Sequence, residues 1–133
     1  MEIILKTCIV YQFTLLLIFT FMFFNLCLWY MSKIYLLANE EWNQFKIGIT
    51  KNSTSERIKK LQTGNGSEIT IVKEYETKYA RKIESWLHKR YYSKRLVGEW
   101  FKLDDDDIND FIDTCKKIES TIILLIETNP FYK

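Results

Sequence analysis

Cysteine, proline and net charge are all scarce in this 133-residue chain, and each shortage removes a class of protein. The three cysteines, Cys8, Cys27 and Cys115, are odd in number, far apart and never in a CxxC or Cys/His spacing. A disulfide framework and a structural zinc site both need a pattern that is missing here; the pattern suits a reducing compartment. The lone proline, Pro130, sits near the C-terminus, where it ends regular structure. There is no Gly/Pro/Ser-rich linker and no internal repeat to divide the chain. A formal charge of +2 is too small to mark a nucleic-acid binder by charge alone.

What is present fits a folded chain. Charged residues make up 27% and hydrophobic ones 47%, which suits a globular protein and excludes general disorder. The length suffices for one domain. The charges are unevenly placed. Residues 7–32 carry none, and residues 104–107 are consecutive aspartates. Residues 78–95 hold Lys78, Arg81, Lys82, Lys89, Arg90, Lys94 and Arg95 against one acid, Glu84. That stretch suits either contact with phosphates or a solvated helix face.

The uncharged leader has three readings. Residues 7–30 are long enough for a transmembrane helix, in which Gln12, Thr14, Thr20 and Asn25 are tolerated and Trp29 and Tyr30 mark an aromatic belt. Alternatively, Met31 is the true start and residues 1–30 are a spurious extension. A cleaved signal peptide fits least, because no small-x-small site follows the apolar run. The location follows: membrane-anchored if residues 1–30 are translated, soluble and intracellular otherwise.

Beyond the leader, the pattern predicts strands over 33–38, 45–50 and 68–75, the first two as a hairpin. Ser53 and Glu56 form an S-x-x-E capping signal for a helix through Ile58 and Leu61, stopped at residues 63–66. A second helix over 78–92 puts Ala80, Ile83, Leu87 and Tyr91 on one stripe. Residues 97–101 form a turn into a short extended piece. A last helix starts near Asp105 with Ile108, Phe111, Ile112, Cys115 and Ile118 inward. Residues 121–126 either continue it or pack separately. The aspartates at 104–107 sit at its N-terminus, where the helix dipole favours anions; a metal loop is the weaker reading. The expected organisation is a leader over 1–32, a domain over 33–117, and a helix end and tail over 118–133.

Two features of these helices point to a site. Glu84 falls beside Leu87 and Tyr91, at the edge of the apolar stripe, where a carboxylate is costly unless paired or metal-bound. His88 lies one turn on, and Arg57 borders the face of Ile58 and Leu61.

In order along the chain, Lys33-Ile34-Tyr35, Lys46-Ile47-Gly48, Arg57 on the following helix and Glu84 on the later one resemble the GIY-YIG nuclease superfamily. The strings KIGIT, LQTGN and GEWF resemble its compact branch in bacteriophages and large DNA viruses. The likeness covers about residues 33–117. It departs from the family at Lys33, where the family has glycine, and at Lys46, where it has tyrosine. No asparagine matches the one many members carry after the glutamate; GEWF occupies that region. The resemblance implies an α/β fold with a small three-stranded sheet flanked by helices, and metal-dependent hydrolysis of DNA with Mg²⁺ or Mn²⁺. On that footing Glu84 binds the metal, Tyr35 is the general base or activates water, and Arg57 clamps the scissile phosphate. Lys46 tunes Tyr35 or contacts phosphate, and His88 is secondary. Lys51, Arg81, Lys89 and Arg90 are the candidate DNA-backbone contacts. Two other functions remain open: a nucleic-acid-binding module of the same fold without turnover, and a membrane-anchored accessory protein.

Plainer readings stand beside these roles. Tyr35 can be a core strand aromatic, Lys46 a solvated strand residue, and Arg57 a partner for Glu56. Glu84 can simply pair with Arg81 or His88, and Trp100 and Phe101 can belong to the core.

Overall fold

The computed structural model describes residues 1–29, 31–64 and 66–132, with the side chains of 2–8 and 24–29 outside the description. The chain divides into two compact units, Met1–Met31 and Ser32–Lys133.

The first unit is one helix, α1, Glu2–Trp29. Its side chains over residues 9–23 are exposed on every side. The hydroxyls of Thr14 and Thr20 donate to backbone carbonyls three and four residues earlier, so they add no unmet polar group. The rings of Phe19 and Phe23 stack at 6.2 Å. Among the described residues, no helix is long and apolar enough to cross a membrane. The transmembrane expectation for residues 7–30 therefore gains no support. Tyr30 and the side chains of Cys8, Asn25, Cys27 and Trp29 lie outside the described residues.

The second unit is built on an antiparallel sheet of four strands in the order β3-β1-β2-β4. The strands are β1 Ser32–Asn39, β2 Gln44–Thr50, β3 Ile69–Thr77 and β4 Trp100–Phe101. The fourth strand corrects the three-stranded expectation. Two residues of GEWF pair with Phe45 and Lys46, covering an edge that would otherwise leave backbone groups open. The β1–β2 hairpin turns through Asn43 at φ +47, a conformation asparagine tolerates well. The Asn39 carboxamide steadies that turn by accepting from Trp42 N at 3.3 Å, and it donates to Ser67 Oγ at 2.5 Å.

Helix α2, Thr54–Gln62, starts where expected: Ser53 Oγ accepts from Glu56 N at 3.3 Å. Gln62 then clips the start of β3, donating to Ser67 O at 2.8 Å and accepting from Ile69 N at 2.9 Å. Helix α3 spans Ala80–Arg90 and ends in a 3₁₀ turn at Tyr92–Lys94. Helices α4, Asp105–Asn109, and α5, Phe111–Thr128, break at Asp110. Asp104 and Asp107 form a reciprocal capping box, and Lys94 ion-pairs with both. The aspartate run is thus a helix start with its own counter-ion. Residues 121–126 continue α5, and Ile118 and Ile122 are buried in the main core. The compact unit therefore extends past residue 117.

Residues directly opposite in an antiparallel sheet share a face. On one face Ile34, Leu36, Ala38, Phe45, Ile47 and Phe101 meet the Ala80–Ile83–Leu87–Tyr91 stripe of α3 and Phe111, Cys115, Ile118 and Ile122 of α5. On the other, Tyr35, Leu37 and Ile69 meet Ile58 and Leu61 of α2 and the half-buried Trp100. Strand β1 is covered on both faces, so its sequence runs apolar without alternation.

Candidate functional site

The second face is where polar groups gather. Tyr35 pairs across the ladder with Gly48. A Cβ at Gly48 would lie 2.4 Å from Tyr35 Oη and 2.6 Å from Cζ, so only glycine lets the ring cross β2 here. The ring is buried, and its phenol reaches out to α2, where Arg57 Nε donates to Oη at 3.4 Å. The phenol and the charge of Glu99 push the guanidinium pKa further up, so Arg57 stays charged. Arg57 therefore engages Tyr35 rather than pairing with Glu56.

Lys46 lies on the same face, opposite Leu37 on one side and Trp100 on the other. It is 8% exposed and so is not a solvated strand residue. Nζ donates to Glu99 Oε2 at 2.6 Å and sits 5.7 Å from the centre of the Trp100 ring. Glu99 is held by its backbone, whose carbonyl accepts from Ile47 N at 3.3 Å. It follows Gly98, whose φ of +61 turns the chain back into β4. Burial works to raise the Glu99 pKa. The hydrogen bond and charge of Lys46, with His88 and Arg57 behind them, win and hold it below the ordinary glutamate value.

Glu84 and His88 come from the same row of α3. Glu84 is half-buried and has no hydrogen-bond or ion-pair partner among the described residues. Burial raises its pKa; the charge of His88 opposes this most, Glu99 adds to it, and Lys46 and Arg81 oppose it less. His88 anchors α3 to β2: a ring nitrogen lies 3.2 Å from Ile47 O, and the ring meets Phe101 edge-on at 5.2 Å. Tyr35, Lys46, Arg57, Glu84 and His88, drawn from two strands and two helices, are thus linked through contacts and charge interactions centred on Glu99.

Two expectations change in detail. The cation on Tyr35 Oη is Arg57, while Lys46 is committed to Glu99. The candidate backbone contacts do not gather: Arg81 shares the row of Glu84, but Lys89 and Arg90 are about 12 Å further along the α3 axis at 1.5 Å per residue. Arg90 lies over the Tyr91 ring at 5.9 Å, and Lys51 is exposed just past β2. Elsewhere in the basic stretch, Lys94 serves the aspartate cap, Lys82 covers Tyr132, and Arg95 Nε donates to Gly98 O.

Sequence reasoning missed Glu99. A signal existed: a lysine in a strand that is otherwise buried needs a counter-charge, and GEWF supplies an acid in the adjacent extended piece. A polar pocket of about 280 Å³ adjoins Arg57 and is lined by Ile49, Thr50, Asn52, Glu56, Arg57 and Lys60. Among the described residues, no group of three or more His, Cys, Asp or Glu side chains is placed to hold a metal ion. A divalent ion would have Glu84 as its free carboxylate. That suits a hydrated Mg²⁺, which takes one or two carboxylates and completes its shell with water and substrate phosphates.

Comparison with curated proteins and with solved structures gives no significant match to the chain. The T5orf172 domain matches over residues 32–116, the stretch that contains the whole sheet, α2, α3 and Tyr35, Lys46, Arg57, Glu84, His88 and Glu99. The chain therefore belongs to the T5orf172 family of nuclease-like domains.

Proposed function

We propose that this protein is a metal-dependent endonuclease of GIY-YIG type that hydrolyses DNA phosphodiester bonds at the Tyr35–Glu84 cleft. The observation that carries the reading is Glu84: a half-buried carboxylate with no hydrogen-bond or ion-pair partner among the described residues, in the field of His88, Lys46 and Arg81. Such a group is costly to keep unless a ligand repays the desolvation.

In this mechanism Arg57 holds the non-bridging oxygens of the scissile phosphate with its terminal nitrogens, while its Nε stays on Tyr35 Oη. Tyr35 Oη, held in place by Arg57 Nε, activates the attacking water. Lys46 faces the phosphate with the N–H donors that Glu99 leaves unused. His88 fixes the distance between α3 and β2. Glu84 would hold Mg²⁺ or Mn²⁺, which would supply charge neutralisation to the phosphate and the leaving oxygen.

The test is plasmid nicking by the full chain with Mg²⁺ and with Mn²⁺, alongside Glu84→Gln. The variant keeps the shape and loses the charge, so cleavage should vanish while DNA binding remains. Equal cleavage by both proteins would sink the reading.

The Lys46–Glu99 ion pair favours a second function, a DNA-binding module without turnover, because the pair cancels charge where the family has a phenol. In that case the unmutated chain binds DNA in a salt-dependent way and does not nick. Lys46→Met separates the two: it lowers turnover by roughly 10²–10⁴ in an active enzyme, but in a binding module it only flattens the salt dependence by about one unit of slope.

A further inference from the structure

Glu99 lies in the GEWF string without a role of its own in the sequence reading, yet it binds both the Lys46 ammonium and the Ile47 backbone. Its carboxylate holds Lys46 Nζ at 2.6 Å, and its backbone carbonyl accepts from Ile47 N. The next residue, Trp100, presents its ring to the same ammonium. The chain enters this position through Gly98, fixed by Trp100 N donating to Val97 O at 3.0 Å and Arg95 Nε donating to Gly98 O at 2.5 Å. Carboxylate and indole therefore come from one short, rigid piece of backbone, and both act on one lysine.

The reason lies in burial. A tyrosine at position 46 would need no counter-charge, whereas an ammonium 8% exposed does. A lysine side chain also has four rotatable carbons, which alone would leave the cation poorly placed. A carboxylate on one side and an aromatic face on the other restrict it to one position.

We propose that Glu99 is the positioning residue of the cleft: it fixes the Lys46 ammonium against Trp100, and it acts on the reaction only through Lys46. Glu99 and Lys46 thus form one unit replacing a single phenol. The rate effect rests on the nuclease reading above; the placement of the ammonium does not.

The experiment uses the full chain, in mild detergent because of the exposed apolar α1, and has two arms. In the first, nicking kinetics are compared for the unmutated protein, Glu99→Gln, Glu99→Asp, Lys46→Met and the Glu99→Gln/Lys46→Met double variant. Glu99→Gln should lower kcat by roughly 10–100-fold with little change in KM, since a misplaced group weakens the transition state more than ground-state binding. Glu99→Asp should recover part of the rate. The double variant should be no slower than Lys46→Met, because removing Lys46 leaves Glu99 nothing to position. Losses that multiply in the double variant would show that Glu99 acts on substrate directly and overturn the proposal.

The second arm is independent of turnover. A lysine ammonium buried in an ion pair exchanges its protons slowly and gives a ¹⁵N–¹H correlation, assigned by its absence in Lys46→Met. The signal should be lost in Glu99→Gln and kept in Glu99→Asp. Its survival in Glu99→Gln overturns the proposal whatever the nicking result. If Glu99→Gln does not fold, Glu99→Asp decides: a shifted ammonium signal supports the proposal and an unchanged one overturns it. An unmutated chain that shows the signal but never nicks DNA removes the nuclease reading and leaves the positioning of Lys46 standing.

Discussion

The two faces of the sheet are covered differently. One is closed by α3 and α5 over a continuous apolar core, with Tyr75 and Thr77 hydrogen-bonded to Glu119 of α5 beside it. The other is covered by the short α2, and there Tyr35, Lys46 and Trp100 occupy positions that on the closed face belong to Ile, Leu and Phe. The closed face makes the unit stable. The partly covered face leaves the edge of β2 beyond Lys46 free of β4, so side chains from α2, α3 and the β4 turn can meet there. A site of charged groups forms where burial is incomplete, because full burial would require each charge to be paired.

Substitutions should separate the faces, and the largest effect belongs to the closed one. Phe111 is fully buried between α5 and the sheet. Phe111→Ala should cost about 3–5 kcal/mol in denaturant unfolding, a large part of the roughly 5–15 kcal/mol that holds a domain together. Nicking should be lost only in step with the unfolded fraction.

On the open face the most disruptive small change is Gly48→Ala. The new Cβ meets the Tyr35 ring and must displace it. We expect a cost of roughly 1–3 kcal/mol, the usual range for overpacking, together with loss of nicking in the protein that remains folded. In a Tyr35→Ala background the same change should cost almost nothing in stability. An equal cost in both backgrounds would mean that the ring is not what glycine accommodates.

The two carboxylates of the cleft should respond to pH with opposite sign. Burial holds the Glu84 pKa above the ordinary 4.5. The folded state keeps that proton longer than the unfolded chain, so the associated stability is complete below about pH 4.5 and is lost as pH rises through the folded value. Glu84→Gln should therefore raise Tm at pH 7 relative to the unmutated protein and not at pH 4. The Glu99 pKa lies below 4.5 once Lys46 is counted. Its contribution is present above 4.5 and is lost as pH falls through the lowered value, so Glu99→Gln should lower Tm at pH 7 and matter least in acid. Two Tm–pH curves of the same sign would contradict this assignment.

The smallest effect lies away from both faces. Lys94 bridges Asp104 and Asp107 at an exposed helix start, where water screens the charges. Lys94→Met should leave nicking unchanged and give the smallest Tm shift of these variants.

Much of the fold was legible because short-range rules governed it. The apolar stripe of α3, the Ser53 cap and the β1–β2 hairpin follow from spacing and turn chemistry within a few residues. The break at Asp110 was not legible, and the extended piece at 97–101 was expected but not its pairing with β2 as a fourth strand. An edge strand that short has no periodicity and is defined by the partner it covers. In the candidate site, Tyr35, Arg57 and Glu84 were singled out as candidates through motif order, and Glu84 also through its place on the helix.

The sequence by itself determined which residues are chemically able to act and the elements that carry them, since both depend on side-chain identity and local pattern. The tertiary structure decided how they are connected. Only once GEWF folds back against β2 does Glu99 meet Lys46 across 53 positions of sequence. Only once β1 and β2 pair does the bare backbone of Gly48 make room for the Tyr35 ring, whose phenol Arg57 then takes. Spacing along the chain cannot specify these contacts, because they are set by sheet register and by which edge the last strand covers.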